Sequence, residues 1–280
     1  MAALDPRIHP FRPELAARHL EGRIEAARFV EGTSYVIVEP ATPLRRASSH
    51  EARQDTEALL GERVTVYEMT EEGWAWGQLE TDDYVGWLSA NALAPPGPAP
   101  THKVCVPRTL CFPVPDIKRP PLAALPMGAR LAIAQQEARF AVTANGWHIP
   151  AAHLAPLDAK ASDFVATAEQ FLNVPYLWGG KTSLGLDCSG LVQVALQAAG
   201  LTCPRDSDMQ EATLGKPISL DELRRGDLVF WQGHVAIARD DKSIVHANAH
   251  AMMVAIEPVD MALARIQAAG GAVTGVRRIG

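Results

Sequence analysis

Val174-Pro175-Tyr176-Leu177-Trp178-Gly179-Gly180-Lys181-Thr182-Ser183-Leu184-Gly185-Leu186-Asp187-Cys188-Ser189-Gly190-Leu191 joins a glycine-rich loop to an amphipathic run. The run continues to Gly200, and Leu191, Val194, Ala195 and Ala198 recur at helical spacing. Gly200 supplies the stop. The pattern places Cys188 at or near a helix N-terminus. There the unpaired backbone N–H groups carry partial positive charge and favour a thiolate. A thiolate becomes a catalyst when a base and an orienting group accompany it.

Two histidines are spaced for those roles. His234 follows Cys188 by 46 residues and opens the run His234-Val235-Ala236-Ile237-Ala238; His246 lies 12 residues further on, inside Ser243-Ile244-Val245-His246-Ala247. A hairpin of these runs sets the histidines side by side, the base on one strand and its orienter on the next. Cysteine, histidine, then a polar residue is the chain order of a papain-like thiol hydrolase. A zinc site is the competing reading, drawing on Cys188, Cys203, His234, His246 and His250. His246 and His250 are four apart, as ligands on a helix are. However, the residues before them read as strand, and the chain has neither a C-x-x-C pair nor an HExxH. The expectation is a site without metal or organic cofactor. Cys203 reads as structural, and Cys105 and Cys111 as packing residues.

Around this core, Ser162 to Leu172 carries Phe164, Val165, Ala168, Phe171 and Leu172 on one helical face, with Ser162 as its N-cap. Strands are expected at Asp227–Trp231, His234–Ala238, Ser243–Ala247 and Met253–Glu257, then a helix from Val259 to Ala268 with Pro258 at its start. Helices followed by antiparallel strands make residues 158–280 an α+β unit. Upstream, short β runs at Tyr35–Glu39, Arg63–Tyr67, Trp74–Leu79 and Tyr84–Leu88, split by Glu72-Gly73 and Asp82-Asp83, read as a small barrel over 31–98. Pro95-Pro96-Gly97-Pro98-Ala99-Pro100 is a stiff linker. A second small barrel follows over 99–157, with strands at Thr101–Pro107, Arg130–Ala134, Arg139–Thr143 and Trp147–Pro150. Both barrels close on Gly-Trp and then Leu-Ala-Pro (Gly86-Trp87 and Leu93-Ala94-Pro95; Gly146-Trp147 and Leu154-Ala155-Pro156), a repeat of about sixty residues. Residues 1–30 read as a polar lead-in, weakly helical from His19 to Phe29.

The chain has 280 residues, 48% of them hydrophobic, and a formal charge of −6 without a basic tract. Nucleic acid and anionic membranes are therefore not expected partners. No apolar stretch approaches the ~20 residues that span a bilayer. The residues from Met1 lack a basic segment followed by an apolar one, and four cysteines are too few for a disulfide framework. A reduced, cytoplasmic protein is the expectation.

Pro175-Tyr176-Leu177-Trp178-Gly179-Gly180, Asp187-Cys188-Ser189-Gly190-Leu191, Gly226-Asp227-Leu228-Val229-Phe230, Gly233-His234-Val235-Ala236-Ile237 and Val245-His246-Ala247 follow one another across residues 160–257. In these motifs and their order the chain resembles the NlpC-type, papain-like cell-wall peptidases. Within them it is similar to the dipeptidyl-peptidase-VI-like γ-D-glutamyl-L-diamino acid endopeptidases. Pro204-Arg205-Asp206-Ser207-Asp208-Met209-Gln210 matches that subgroup, as does Gly73-Trp74 through Tyr84-Val85-Gly86-Trp87. The resemblance implies an α+β papain-like catalytic domain, helices packed on an antiparallel sheet, preceded by two SH3-like barrels.

It also implies roles. Cys188 is the nucleophile, His234 the base and His246 its orienter. The Cys188 backbone N–H and Tyr176 attend the oxyanion. The implied substrate is a murein tripeptide or tetrapeptide with a free N-terminal L-alanine. It is cut between γ-D-glutamate and diaminopimelate or lysine, in the recycling of cell-wall peptides. Asp206 would pair with the α-ammonium, Ser207 and Ser189 would contact substrate nearby, and Tyr84 would close the wall. Glu57 or Glu62 would add an acidic group. An ammonium taken from water needs a carboxylate partner. That pairing rejects peptides still joined to sugar, whose alanine nitrogen is an uncharged amide. The same triad also serves broader peptidoglycan hydrolases and amidases, and two such barrels also suit a non-catalytic wall-binding protein.

Overall fold

The computed structural model describes residues 4–279, and the chain divides between Leu157 and Asp158 into two compact units. In the second unit the helices are α1 (Phe164–Glu169), α2 (Cys188–Ala198), α3 (Ser207–Thr213) and α4 (Val259–Ala268). The main strands are β1 (Lys216–Pro217), β2 (Asp227–Trp231), β3 (His234–Ala238), β4 (Ser243–Asn248), β5 (Met253–Pro258) and β6 (Val273–Arg278). They form one sheet in the order β1-β6-β2-β3-β4-β5, every neighbouring pair antiparallel.

Side chains alternate across a strand. Val229, Trp231, Ala236, Ala238, Ile244 and Val276 share one face and pack with Ala262, Leu263 and Ile266 of α4. The intervening Leu228, Phe230, Val235, Ile237 and Val245 are at most 1% exposed, so both faces are covered. That explains the nearly continuous apolar runs of β2 and β3. Helix α2 lies against β3 and β4, and all its residues from Cys188 to Leu196 are buried. By the same alternation His234, His246 and Asn248 belong to the face that α4 covers.

The caps differ from expectation in one place. Asp163, not Ser162, caps α1: its Oδ1 accepts from the Val165 and Ala166 N–H groups at 2.9 and 3.2 Å. An ionised carboxylate is the stronger partner for a helix N-terminus. Asp187 caps α2, its Oδ1 accepting from the Gly190 N–H at 2.7 Å, and Gly200 takes the left-handed φ of +76° after the helix ends.

The first unit is almost all strand. Seven strands pair antiparallel in the order Leu93–Ala94, Thr33–Ile37, Arg63–Met69, Trp74–Leu79, Val85–Ser89, Ala41–Arg45, Gln54–Leu59. They enclose Ile37, Leu44, Ala58, Val64, Leu79 and Leu88. Residues 102–156 form shorter sheets around Val104, Cys111, Leu125, Leu131 and Ile149. The lead-in is not helical from His19 to Phe29, and its first three residues lie outside the described residues. It contains strands Phe11–Arg12, Leu15–Ala17 and Phe29–Val30 and a single 3-10 turn, Arg18–Leu20. Leu15, Ala16, Ala17 and Leu20 are fully buried, and the Arg12 guanidinium pairs with Glu68 and lies 4.3 and 4.8 Å from the Trp76 and Trp87 rings. Packing against these aromatics outweighs the weak helical preference of the segment.

Gly190 sits where the glycine-rich loop crosses the first turn of α2. A Cβ there would fall 2.2 Å from the Gly180 carbonyl oxygen and 2.9 Å from Asp187 Oδ1. Neither is a yielding side-chain tip, since one is backbone and the other is the cap. Gly190→Ala is therefore expected to lower the unfolding free energy by about 1–3 kcal/mol, measured by urea denaturation; unchanged stability would mean that the loop shifts freely.

Candidate active site

Cys188 is the first residue of α2 and 7% exposed. Its Sγ lies 4.0 Å from the Gly233 carbonyl oxygen and takes a backbone hydrogen bond from Val235. The sulfur thus rests on the backbone to either side of His234. His234 Nε2 is 3.0 Å from His246 Nδ1. On the far side of His246, Glu257 Oε2 stands 3.1 Å from Nε2, off the N–H axis. Arg265 of α4 grips that carboxylate with two bonds, Nε to Oε1 at 2.9 Å and Nη2 to Oε2 at 2.7 Å.

This order fixes the protons. A carboxylate only accepts, so the His246 proton belongs on Nε2, facing Glu257. His246 Nδ1 is then an acceptor, and His234 Nε2–H donates to it. What remains on His234 is the lone pair of Nδ1, the nitrogen a base needs.

The charges contradict one expectation. Burial, with the neighbouring Asp187 carboxylate adding to it, pushes the Cys188 thiol up to about 12. Burial likewise pulls His234 down to about 3 and His246 to about 4, the latter against the opposing pull of Glu257. Burial thus works against a thiolate–imidazolium pair and favours the neutral thiol and neutral imidazoles. Asp187 explains why the helix N-terminus fails to ionise the sulfur: its carboxylate already occupies that positive end.

Asp187 does more than cap. Its two oxygens accept from Arg205 Nη1 and Nη2 at 2.9 and 2.7 Å, and Oδ2 also accepts from the Gly179 N–H at 2.8 Å. Arg205 is 1% exposed and further donates to Ser189 Oγ at 2.9 Å and the Gly180 carbonyl at 3.3 Å. Ser189 Oγ donates to Asp187 Oδ1 at 3.3 Å. The Ser189 hydroxyl, expected to meet substrate, is committed to this inward network. Cys203 is buried, and Gln210 Nε2 donates to its sulfur at 3.4 Å, as suits a structural residue.

Tyr176 is half-buried, and burial above all holds its hydroxyl well above the usual phenol range. It is an O–H donor at neutral pH, close enough to the sulfur to feel it. Asp206 is the N-cap residue of α3 by backbone position, yet its side chain makes no cap bond, and Ser207 is the first helical residue. Tyr84, Glu57 and Glu62 belong to the first unit and are 2, 8 and 3% exposed. Glu62 Oε2 accepts from the Leu59 N–H at 2.7 Å. Glu257 and Arg265 went unread as site residues. The signal was present in the pairing: Glu257 lies two residues from Ala255, the partner of His246, hence on the same face.

Residues 44–93 match the bacterial dipeptidyl-peptidase Sh3 domain, and residues 173–267 match the NlpC/P60 family. The chain is 37% identical to a Dipeptidyl-peptidase 6 of Lysinibacillus sphaericus over 102 residues, 36% of this chain and 38% of that relative. It is 28% identical to a Gamma-D-glutamyl-L-lysine dipeptidyl-peptidase of Bacillus cereus over 74% of this chain and 71% of the relative. The crystal structure of a NlpC/P60 family protein from Bacillus cereus superposes with a TM-score of 0.75 at 22% identity, covering 88% of this chain and 99% of that one, and shows the same fold.

His246 is 1% exposed and its pKa lies below the unfolded value of 6.5. Between about pH 6.5 and 4 the unfolded chain binds more protons, so stability falls as pH falls through that window. From pH 7 to 5 this one residue should remove about 2 kcal/mol. His246→Gln, which cannot titrate, should lose correspondingly less over the same interval in denaturant unfolding; identical slopes would place the His246 pKa near its ordinary value.

Proposed function

We propose that this chain, which belongs to the NlpC/P60 family of cysteine peptidases and carries an N-terminal SH3 domain, hydrolyses the γ-D-glutamyl–diamino acid bond of murein peptides with a free N-terminal L-alanine. The observation that carries the reading is the line from Cys188, against the start of β3, through His234 and His246 to Glu257, with Cys188 and His246 buried. It supplies a nucleophile, a base with its lone pair assigned, and a fixed negative charge behind both rings.

In this mechanism His234 Nδ1 takes the thiol proton as Sγ attacks the γ-carbonyl carbon. The new imidazolium keeps its Nε2–H bond to His246, and Glu257 stabilises the positive charge through that ring without a second proton moving. The Cys188 backbone N–H, with the Tyr176 hydroxyl, faces the oxyanion. His234 returns the proton to the amine as the C–N bond breaks, leaving a thioester. Water, deprotonated by the same nitrogen, then releases the L-Ala-D-Glu acid. Because the resting pair is neutral, charge separates only along the reaction, where the fixed carboxylate acts on it.

Asp206 and Ser207 receive the alanine ammonium. Ser189 serves by bracing Asp187 and Arg205 rather than by touching substrate. Residues 99–157 form the second SH3-like unit. The place of action is the cytoplasm, on peptides already freed from sugar, and the exposed free thiol of Cys105 suits a reducing compartment.

The test is product analysis by mass spectrometry on L-Ala-γ-D-Glu-L-Lys and its N-acetyl form. The free peptide should yield the dipeptide and lysine, at least about tenfold faster than the acetylated one. Cys188→Ala should abolish turnover, and Asp206→Asn should erase the preference. Equal rates on both peptides would refute the ammonium subsite, and an active Cys188→Ala would refute the thiol mechanism.

A further inference from the structure

A cavity of about 220 Å³ opens on the α4 side of the sheet, lined by Trp231, His234, Asn248, His250 and Arg265. Its polar groups are one-sided: Asn248 is buried and Arg265 half-buried. Arg265 spends Nε and Nη2 on Glu257, and its Nη1 has no partner among the described residues. Asn248 is 5% exposed; its Oδ1 accepts from the Ala251 N–H at 2.7 Å, and its Nδ2 has no partner among the described residues. The nearby carboxylate, Glu257, is already engaged by Arg265 and His246. Two donors without a protein acceptor, one of them cationic, suit a carboxylate ligand that takes the place of water. The volume falls below the ~300–1,000 Å³ typical of drug-sized ligand sites, so it fits one amino-acid residue rather than several.

His234 belongs both to this cavity and to the reaction. The nitrogen that leaves is protonated by His234, so the residue bearing that nitrogen lies beside the ring. Its α-carboxyl group is attached one carbon beyond that nitrogen, within reach of whatever lines the space next to His234.

We infer that this cavity is the subsite for the leaving diamino acid, with Arg265 Nη1 and Asn248 Nδ2 holding its free α-carboxylate; the inference rests on the hydrolase reading above. It determines length. A peptide ending at the diamino acid presents the anion, whereas one continuing through that carboxyl group presents a neutral amide and leaves both donors unmatched. The enzyme is then selective for the short peptide, and Asn248 and Arg265 are specificity-determining residues.

The experiment compares kcat/KM on L-Ala-γ-D-Glu-L-Lys and on the same peptide with a C-terminal amide. Wild type should prefer the acid at least about tenfold. Asn248→Asp keeps the acceptor for the Ala251 N–H but sets a carboxylate against the ligand, and should bring the ratio to one or below. A ratio of two substrates on one variant is insensitive to partial loss of folded protein. Alongside, L-lysine and L-lysinamide are titrated into wild type while the His234 ring resonances are followed. L-Lysine should shift them and lysinamide should not. A wild-type ratio near one, or a preference undiminished in Asn248→Asp, overturns the subsite. If neither peptide is cut, the proposed hydrolysis fails, and the titration alone decides the subsite: no response to L-lysine overturns it.

Discussion

Desolvation of one sulfur and two imidazoles is the constraint on which this catalytic unit is built. A charge on any of them is disfavoured by burial, so the neutral forms are what the fold holds at rest. Such a site has to supply stabilisation for the charge that appears during reaction, and it does so from a distance. Among the described residues Glu257 is the carboxylate in contact with the histidine pair, and it sits two rings away from the sulfur side. Fixed there by Arg265, it cannot turn away when the imidazolium forms, which is the sense in which a preorganised group lowers a barrier.

The second buried charge pair serves a different end. Asp187 and Arg205 hold together the glycine-rich loop, the first turn of α2 and the segment leading into α3. Removing one member of such a pair typically costs about 3–5 kcal/mol, because the other is left buried and uncompensated. Their net contribution to stability is small by comparison. What they enforce is position: the backbone of Cys188, the tyrosine loop and Asp206 are all within a residue or a few of this network. Its cost to chemistry is visible too, since Asp187 uses the helix terminus that would otherwise have favoured a thiolate.

Much of the second unit was legible because its signals are local. The strand runs and the α4 segment stand out as apolar periodicity, and β2 to β5 appear where that periodicity put them. The histidine pair was legible because a two-strand hairpin follows from sequence spacing alone. Ser162 misled because two adjacent residues both cap well, and only geometry shows which carboxylate or hydroxyl meets the N–H groups. The lead-in misled because its fold depends on the remote Trp76 and Trp87. The thiol's protonation was hidden for the same kind of reason: burial is a property of the packed unit, and an N-terminal helix position says nothing of what else has been placed there. Ser189 read as a substrate contact because it adjoins the nucleophile, yet neighbouring helix residues point in different directions.

Glu257 and Arg265 were missed for a more instructive reason, and their joint position ties the chemistry to the cavity. Glu257 is the last residue but one of β5, and α4 begins two residues later. The first turns of α4 carry the chain back over the strand it has just left, so a residue eight positions on meets Glu257 again. One side chain thereby serves two places: two of its nitrogens fix the carboxylate behind the histidines, and Arg265 also lines the cavity beside His234. An anion bound to its third nitrogen would draw on the same positive charge that holds Glu257. In the proposed complex, ligand and relay would share Arg265, and occupancy of the cavity would reach His246 through the grip on Glu257. The sequence shows each of these residues as an ordinary surface charge; only the return of the helix over the sheet edge makes them parts of one site.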